Sequence, residues 1–264
     1  MKRTTVIIFI SIKVILCCAQ VNRFELTTDT SHFADLRGRI KDQTLFIKLD
    51  PNNFIAYNKR ATYKYQLGEY LSSIDDVNEM LRIKPNNPVA YSMIGMCYVF
   101  LKDTKKALLN LDLAIKLEPA DEVNYLNRAY AKSESKNHKG AILDLDKAIS
   151  LKPDYAKAFV NRGLSKKELG LLKEAELDYN KAIELNPHYL GAFLSRAIVK
   201  FNLKNYSGAI SDYDYVLKMA PNLESYDFYY YRAQAYEKMG DTINSRYNYE
   251  KASKFEKNLP RYNN

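Results

Sequence analysis

Residues 156–189 read AKAFVNRGLSKKELGLLKEAELDYNKAIELNPHY. Apolar residues recur at helical spacing on both sides of Leu169-Gly170-Leu171, and the stretch closes on Asn186-Pro187. That pattern predicts two helices joined by a short turn and stopped by a proline. The stretch is one copy of several. Pro51, Pro85, Pro119, Pro153, Pro187 and Pro221 stand 34 residues apart. A fixed period of this length means one small unit copied and stacked, each copy touching mainly its neighbours, rather than one large core. Aligned on the prolines, the copies run 54–87, 88–121, 122–155, 156–189 and 190–223. A sixth at 226–257 is offset by two residues after Pro221. Positions below count within the repeat, with Phe54, Pro88, Glu122, Ala156, Leu190 and Tyr226 at position one.

The copies share more than proline. Position 4 is aromatic in all six (Tyr57, Tyr91, Tyr125, Phe159, Phe193, Tyr229) and position 8 is small (Ala61, Gly95, Ala129, Gly163, Ala197, Ala233). Position 20 is small (Ser73, Ala107, Ala141, Ala175, Ala209, Ser245) and position 24 bulky (Val77, Leu111, Leu145, Tyr179, Tyr213, Tyr249). Large facing small lets two helices approach closely. The first helix is expected over positions 2–14 and the second over 17–30. Asn53, Asn87 and Asp121 are expected N-caps, with Pro88 at the first helical position.

These marks together resemble the tetratricopeptide repeat family, over about residues 40–257. The resemblance implies an all-α fold: a right-handed superhelical solenoid of antiparallel helix pairs. It also implies a concave groove, lined by first helices, that binds peptides or protein segments.

Two positions depart from the family pattern. Position 7 is Arg in five copies (Arg60, Arg128, Arg162, Arg196, Arg232) and position 11 is Lys in four (Lys64, Lys132, Lys166, Lys200). Both share the arc that faces partner helices, where an unpaired cation is costly. Position 23 is Asp in the same four copies that carry Lys: Asp76, Asp144, Asp178 and Asp212. An internal lattice of Lys/Arg–Asp pairs is expected. The second and sixth copies replace its Lys and Asp with Tyr98 and Asn110, and with Tyr236 and Asn248.

The start of the chain reads as a secretory signal over residues 1–19. Lys2 and Arg3 precede an apolar stretch from Val6 to Leu16, and Cys17-Cys18-Ala19 offers small residues for cleavage. Export, periplasmic or secreted, follows, with no stable membrane span after cleavage. An uncleaved anchor through the same segment and lipid attachment at a cysteine remain the alternatives. Cleavage removes Lys2, Arg3 and Lys13 and no acid, so net charge falls from +9 to +6. Residues 20–53 are expected to hold an arm, over 20–32, and a half-repeat cap. Residues 258–264 form a tail.

Lysines and acids interleave along the repeats, which argues against a nucleic-acid face. After cleavage only Cys97 remains, so no internal disulfide forms. His32, His138 and His188 are far apart, and no phosphate loop or nucleophile motif is present. The sequence offers no catalytic, metal or cofactor-binding constellation, so a non-catalytic scaffold is expected.

A protein or peptide partner is therefore sought on the arc opposite the packed one, at positions 2, 5, 6, 9, 12 and 13. The candidate partner-binding residues are Tyr65, Met96, Phe100, Asn127, Tyr130, Asn161, Phe201, Tyr230 and Tyr231. Asn127 and Asn161 are expected to hold a partner backbone. Phe100, Tyr130 and Phe201 are expected to lack partners within their own repeat. About half the arc is expected to be buried between first helices. Scattered lysines and intruding glutamates exclude a carboxylate clamp. The run Tyr226-Asp227-Phe228-Tyr229-Tyr230-Tyr231 cannot all be buried on one helix face, so self-association there is a further expectation. The rival reading is a structural subunit of an envelope or secretion assembly acting through its ends and convex face.

Overall fold

A computed structural model describes residues 30–221 and 225–256. The expected signal segment, residues 20–29 of the arm, and the tail lie outside the described residues. Among the described residues the regular structure is thirteen helices: α1 (Thr30–Leu49), α2 (Phe54–Gln66), α3 (Tyr70–Ile83), α4 (Pro88–Phe100), α5 (Thr104–Leu117), α6 (Glu122–Glu134), α7 (His138–Leu151), α8 (Ala156–Glu168), α9 (Leu172–Leu185), α10 (Leu190–Asn202), α11 (Tyr206–Met219), α12 (Tyr226–Lys238) and α13 (Thr242–Glu256). First helices occupy positions 1–13, one residue earlier than the periodicity suggests, and second helices begin at position 17. Helix α1 already starts at Thr30, so residues 30–32 of the expected arm are helical.

Capping sets these boundaries. The side chains of Asn53, Asn87 and Asp121 accept hydrogen bonds from the backbone N–H groups of Ala56, Ala90 and Val123, each satisfying an orphan donor of a first helix. Asp103, Asn137 and Asn205 do the same for second helices, accepting from Lys106, Gly140 and Gly208. Between the two helices, position 15 is left-handed in every copy: Gly68, Lys102, Lys136, Gly170, Lys204 and Gly240 have φ between 61° and 78°. Glycine takes that conformation freely, and the three lysines carry the strain of a Cβ.

The described residues form two compact units, one up to residue 158 and one from residue 159 onwards, with the boundary in the first turn of α8. Each is a stack of helix pairs in which consecutive helices pack together, and in the first unit the first helices α4 and α6 also touch. The small and bulky positions interlock as expected. A Cβ added to Gly95 would sit 2.6 Å from Leu111 Cγ, and one on Gly163 would sit 2.8 Å from Tyr179 Cε1. Residues at position 3 are buried too: Ala56, Ala90, Asn124, Ala158, Ala192 and Phe228.

Candidate partner-binding surface

The first helices are held in place by the expected lattice, built more fully than a set of pairs. In the first copy Asp76 takes both nitrogens of the Arg60 fork, at 2.9 and 2.6 Å, and Lys64 at 2.8 Å. Asp144 takes Arg128 and Lys132, Asp178 takes Arg162 and Lys166, and Asp212 takes Arg196 and Lys200, with ion-pair contacts between 2.6 and 3.0 Å. All four carboxylates are buried. The bidentate fork suits arginine's planar donors. Each of these guanidiniums also lies over the position-4 ring of its own helix, 5.2 to 5.7 Å from the centroid.

The sequence reading missed a second arm of this lattice. Arg128 reaches back to Asp112 at 2.8 Å, Arg196 to Asn180 at 2.8 Å, and Arg60 to the Thr44 hydroxyl at 3.0 Å. These acceptors all stand at position 25 of the preceding copy, and Arg232 likewise bonds Asp214. The signal was a polar residue at position 25, visible only once the position-7 arginines are known to span copies. Asp144 and Asp112 together raise the Arg128 pKa, because both favour the charged form.

Helix α4 breaks the lattice. Its sequence PVAYSMIGMCYVF carries no charged residue. Ile94 stands where other copies have Arg and packs with Tyr57, Ala61, Val77, Met80 and Ala90. Asn110 turns its amide back to the Lys106 carbonyl at 2.8 Å instead of meeting a cation. Burial pushes the Cys97 thiol up to about 11, so it is protonated at neutral pH.

Of the candidate residues, those in the first unit converge on α4. Phe100 stacks on Tyr70 with centroids 5.0 Å apart and meets Tyr65 edge-on at 5.6 Å and Tyr130 at 6.3 Å. Met96 and Tyr130 pack against the cluster of Val99, Ala107, Leu111 and Ala131. Asn127 donates to the Ser92 hydroxyl at 3.0 Å, so one amide donor expected for a partner is used internally. Tyr65, Met96, Phe100, Asn127 and Tyr130 are all half-buried.

The second unit treats its candidates differently. Asn161 is only 8% exposed, which removes it as a free two-sided anchor. Phe201 meets Tyr206 edge-on at 5.4 Å, a ring of its own repeat, so the expectation that it lacks such a partner is corrected. The aromatic run resolves by splitting. Phe228 packs on Tyr213 at 5.1 Å and Tyr229 on Phe255 at 6.0 Å, both buried. Tyr230 stacks on Tyr226 at 5.3 Å and contacts Tyr231 and Tyr249, all at partial exposure. Across the whole expected arc, Ser92, Val99, Leu126, Val160, Asn161 and Ser195 are buried, fewer than the expected half. The position-17 rings Tyr70 and Tyr206 escaped the sequence reading, which had given that position no role. No group of three metal-ligating side chains occurs among the described residues, and none of their helices is long and apolar enough to cross a membrane.

The tetratricopeptide repeat family matches residues 88–121, 124–155 and 156–189. With the same pairing and spacing carried by the helices outside those spans, the chain is a tetratricopeptide-repeat protein, and its fold is the all-α solenoid of that class. No curated protein matches it in sequence. Among solved structures it is similar to PilW, a widely conserved type IV pilus biogenesis factor. The TM-score is 0.69 at 18% identity, covering 80% of this chain and 94% of that one. It is similar to PilF of Pseudomonas aeruginosa, with a TM-score of 0.67 at 16% identity over 78% and 97%. A tetratricopeptide repeat protein from Parabacteroides merdae gives 0.64 at 17% over 84% and 87%. At these identities the likeness is one of fold.

Proposed function

We propose that this protein is an exported, non-catalytic scaffold that binds a segment of another protein on the surface centred on α4. The observation that carries the reading is the absence of charge on α4 in a chain whose residues are 27% charged. An apolar helix with Val89 at 53% exposure and half-buried Met93, Met96 and Phe100 offers what an interface core needs. Tyr65, Asn127 and Tyr130 flank it from the neighbouring copies. Tyr230 and Tyr231 belong to the other unit and are secondary candidates, whereas Asn161 is buried and Phe201 is covered by Tyr206 of its own repeat. The pilus-factor neighbours support a role in an envelope process, and the signal-like residues 1–19 support export, with anchoring through that segment as the alternative.

The rival, a structural subunit acting through its ends, is less well supported. Position 28 is Leu or Ile in the first five copies and packs towards the next one, but in the last copy it is Ser253. Position 21, apolar in four of the earlier copies, changes to Arg246, and both line a shallow hollow with Thr242, Ser245, Tyr249 and Glu250. At the other end, Arg39 and Gln43 replace the small and bulky positions, although Leu45, Phe46 and Leu49 stay exposed.

Val89→Asp tests the reading. An acid in the first turn of a helix is favourable, so the fold should hold while the surface gains a charge. Binding of uncharged apolar peptides, measured by calorimetry, should weaken at least tenfold with an unchanged melting temperature. Equal affinity of the variant would remove α4 as the binding surface.

A further inference from the structure

Tyr65, Tyr70, Phe100 and Tyr130 come from three successive copies and form one connected strip of rings in the first unit. We propose that this strip docks an uncharged, proline-bearing segment of the partner in the extended polyproline II conformation. The inference rests on the scaffold reading above and narrows its partner.

Shape is the first support. Tyr70, Phe100 and Tyr130 follow one another at 5.0 and 6.3 Å, a run comparable to one polyproline II turn of roughly 9 Å. All four rings are half-buried, fixed by their neighbours yet still reaching solvent. Aromatic-lined surfaces favour proline segments because that helix is already formed and loses little entropy on binding. A proline ring also brings apolar surface without an N–H to desolvate.

Charge is the second. Helix α4 supplies none, and the nearby Lys102 and Glu134 neutralise each other in a 3.0 Å ion pair. Glu69 is exposed beside Tyr70 and marks the rim. A charged segment would meet no complementary cluster here, and a nucleic acid would meet no row of cations.

Repetition is the third. The same pair of positions, 12 and 17, carries an aromatic contact in the second unit, Phe201 with Tyr206 at 5.4 Å. No ring of the described residues extends that pair as Phe100 and Tyr130 extend the first. The second pair therefore serves as an internal control.

The test uses the purified native protein and four end-capped synthetic dodecapeptides: one uncharged with proline at every third position, its alanine counterpart, a leucine-rich proline-free peptide, and a glutamate-rich one. Calorimetry gives affinities, and tyrosine emission reports the rings, since the chain has 22 Tyr and no Trp. The proline peptide should bind at least tenfold tighter than its alanine counterpart. Tyr70→Ala and Phe100→Ala should each weaken it at least fivefold, Tyr70→Phe should preserve it, and Phe201→Ala should leave it unchanged. If Phe100→Ala lowers the helical signal, Tyr70→Ala at the start of α3 decides. Binding of the leucine-rich peptide without the proline peptide overturns the inference and leaves the scaffold reading standing. Proline-peptide binding indifferent to Tyr70 and Phe100 overturns the inference as well. Silence from all four peptides overturns both.

Discussion

Asp144 holds two cations at once. Arg128 and Lys132 both end on it, at 2.7 Å each, in a buried setting. Removing one member of such a group leaves charge without its acceptor, which costs about 3–5 kcal/mol. Asp144→Ala is expected to fall in that range in urea melts. Replacing Lys132 and Asp144 together does not repair it, because Arg128 would keep only the exposed Asp112. The second copy shows the alternative, with Ile94, Tyr98 and Asn110 at the three positions. The triple change Arg128→Ile, Lys132→Tyr, Asp144→Asn should recover most of the loss. Additive losses would show that the lattice is not a unit. A second residue-scale effect sits at Tyr213, buried with no hydrogen-bond partner for its hydroxyl. Burial also raises its pKa, since the phenolate would be still costlier there. Tyr213→Phe should leave stability equal or raise it by about 1 kcal/mol, read as a higher urea midpoint. A clear loss would reveal a hidden partner.

At the scale of elements, the repeat period made the helices legible, and the cap residues fixed their starts. What the sequence hid was direction. Position 7 was readable as a cation needing a partner, but the partner in the preceding copy depends on how copies stack. That geometry lies in no single repeat. Phe100 and Phe201 looked alike as arc aromatics. The structure separates them, because Tyr206 covers one within its own repeat while the other joins rings from three copies. Asn161 was readable as a hydrogen-bonding side chain, yet its burial depends on neighbouring helices. The turns give the prediction of this scale. Lys136 holds φ at 62° where Gly68, Gly170 and Gly240 hold it without strain. Lys136→Gly should stabilise by up to about 1 kcal/mol, the left-handed penalty partly offset by glycine's greater freedom when unfolded. A thermal melt checks it, and a lowered midpoint would mean that the lysine side chain contributes something its conformation costs.

At the scale of the whole molecule, a solenoid must stop its own growth. Every internal copy presents an apolar position 28 to the next: Leu81, Ile115, Ile149, Ile183 and Leu217. The last copy presents Ser253, and Arg246 stands where Ile74, Leu108, Ile142 and Ile210 stand in four others. Burying an arginine and a serine against another copy would desolvate groups that gain no partner. Terminal repeats need such polar faces for solubility. Arg246→Ile with Ser253→Leu should therefore restore the apolar face of an internal copy. The variant is expected to self-associate with rising concentration in sedimentation velocity, whereas the parent chain should show no such dependence through this face. Helix content should be unchanged by circular dichroism, because both residues lie on a surface rather than in the core. A monomeric double variant would mean that the two polar residues are not what closes the stack.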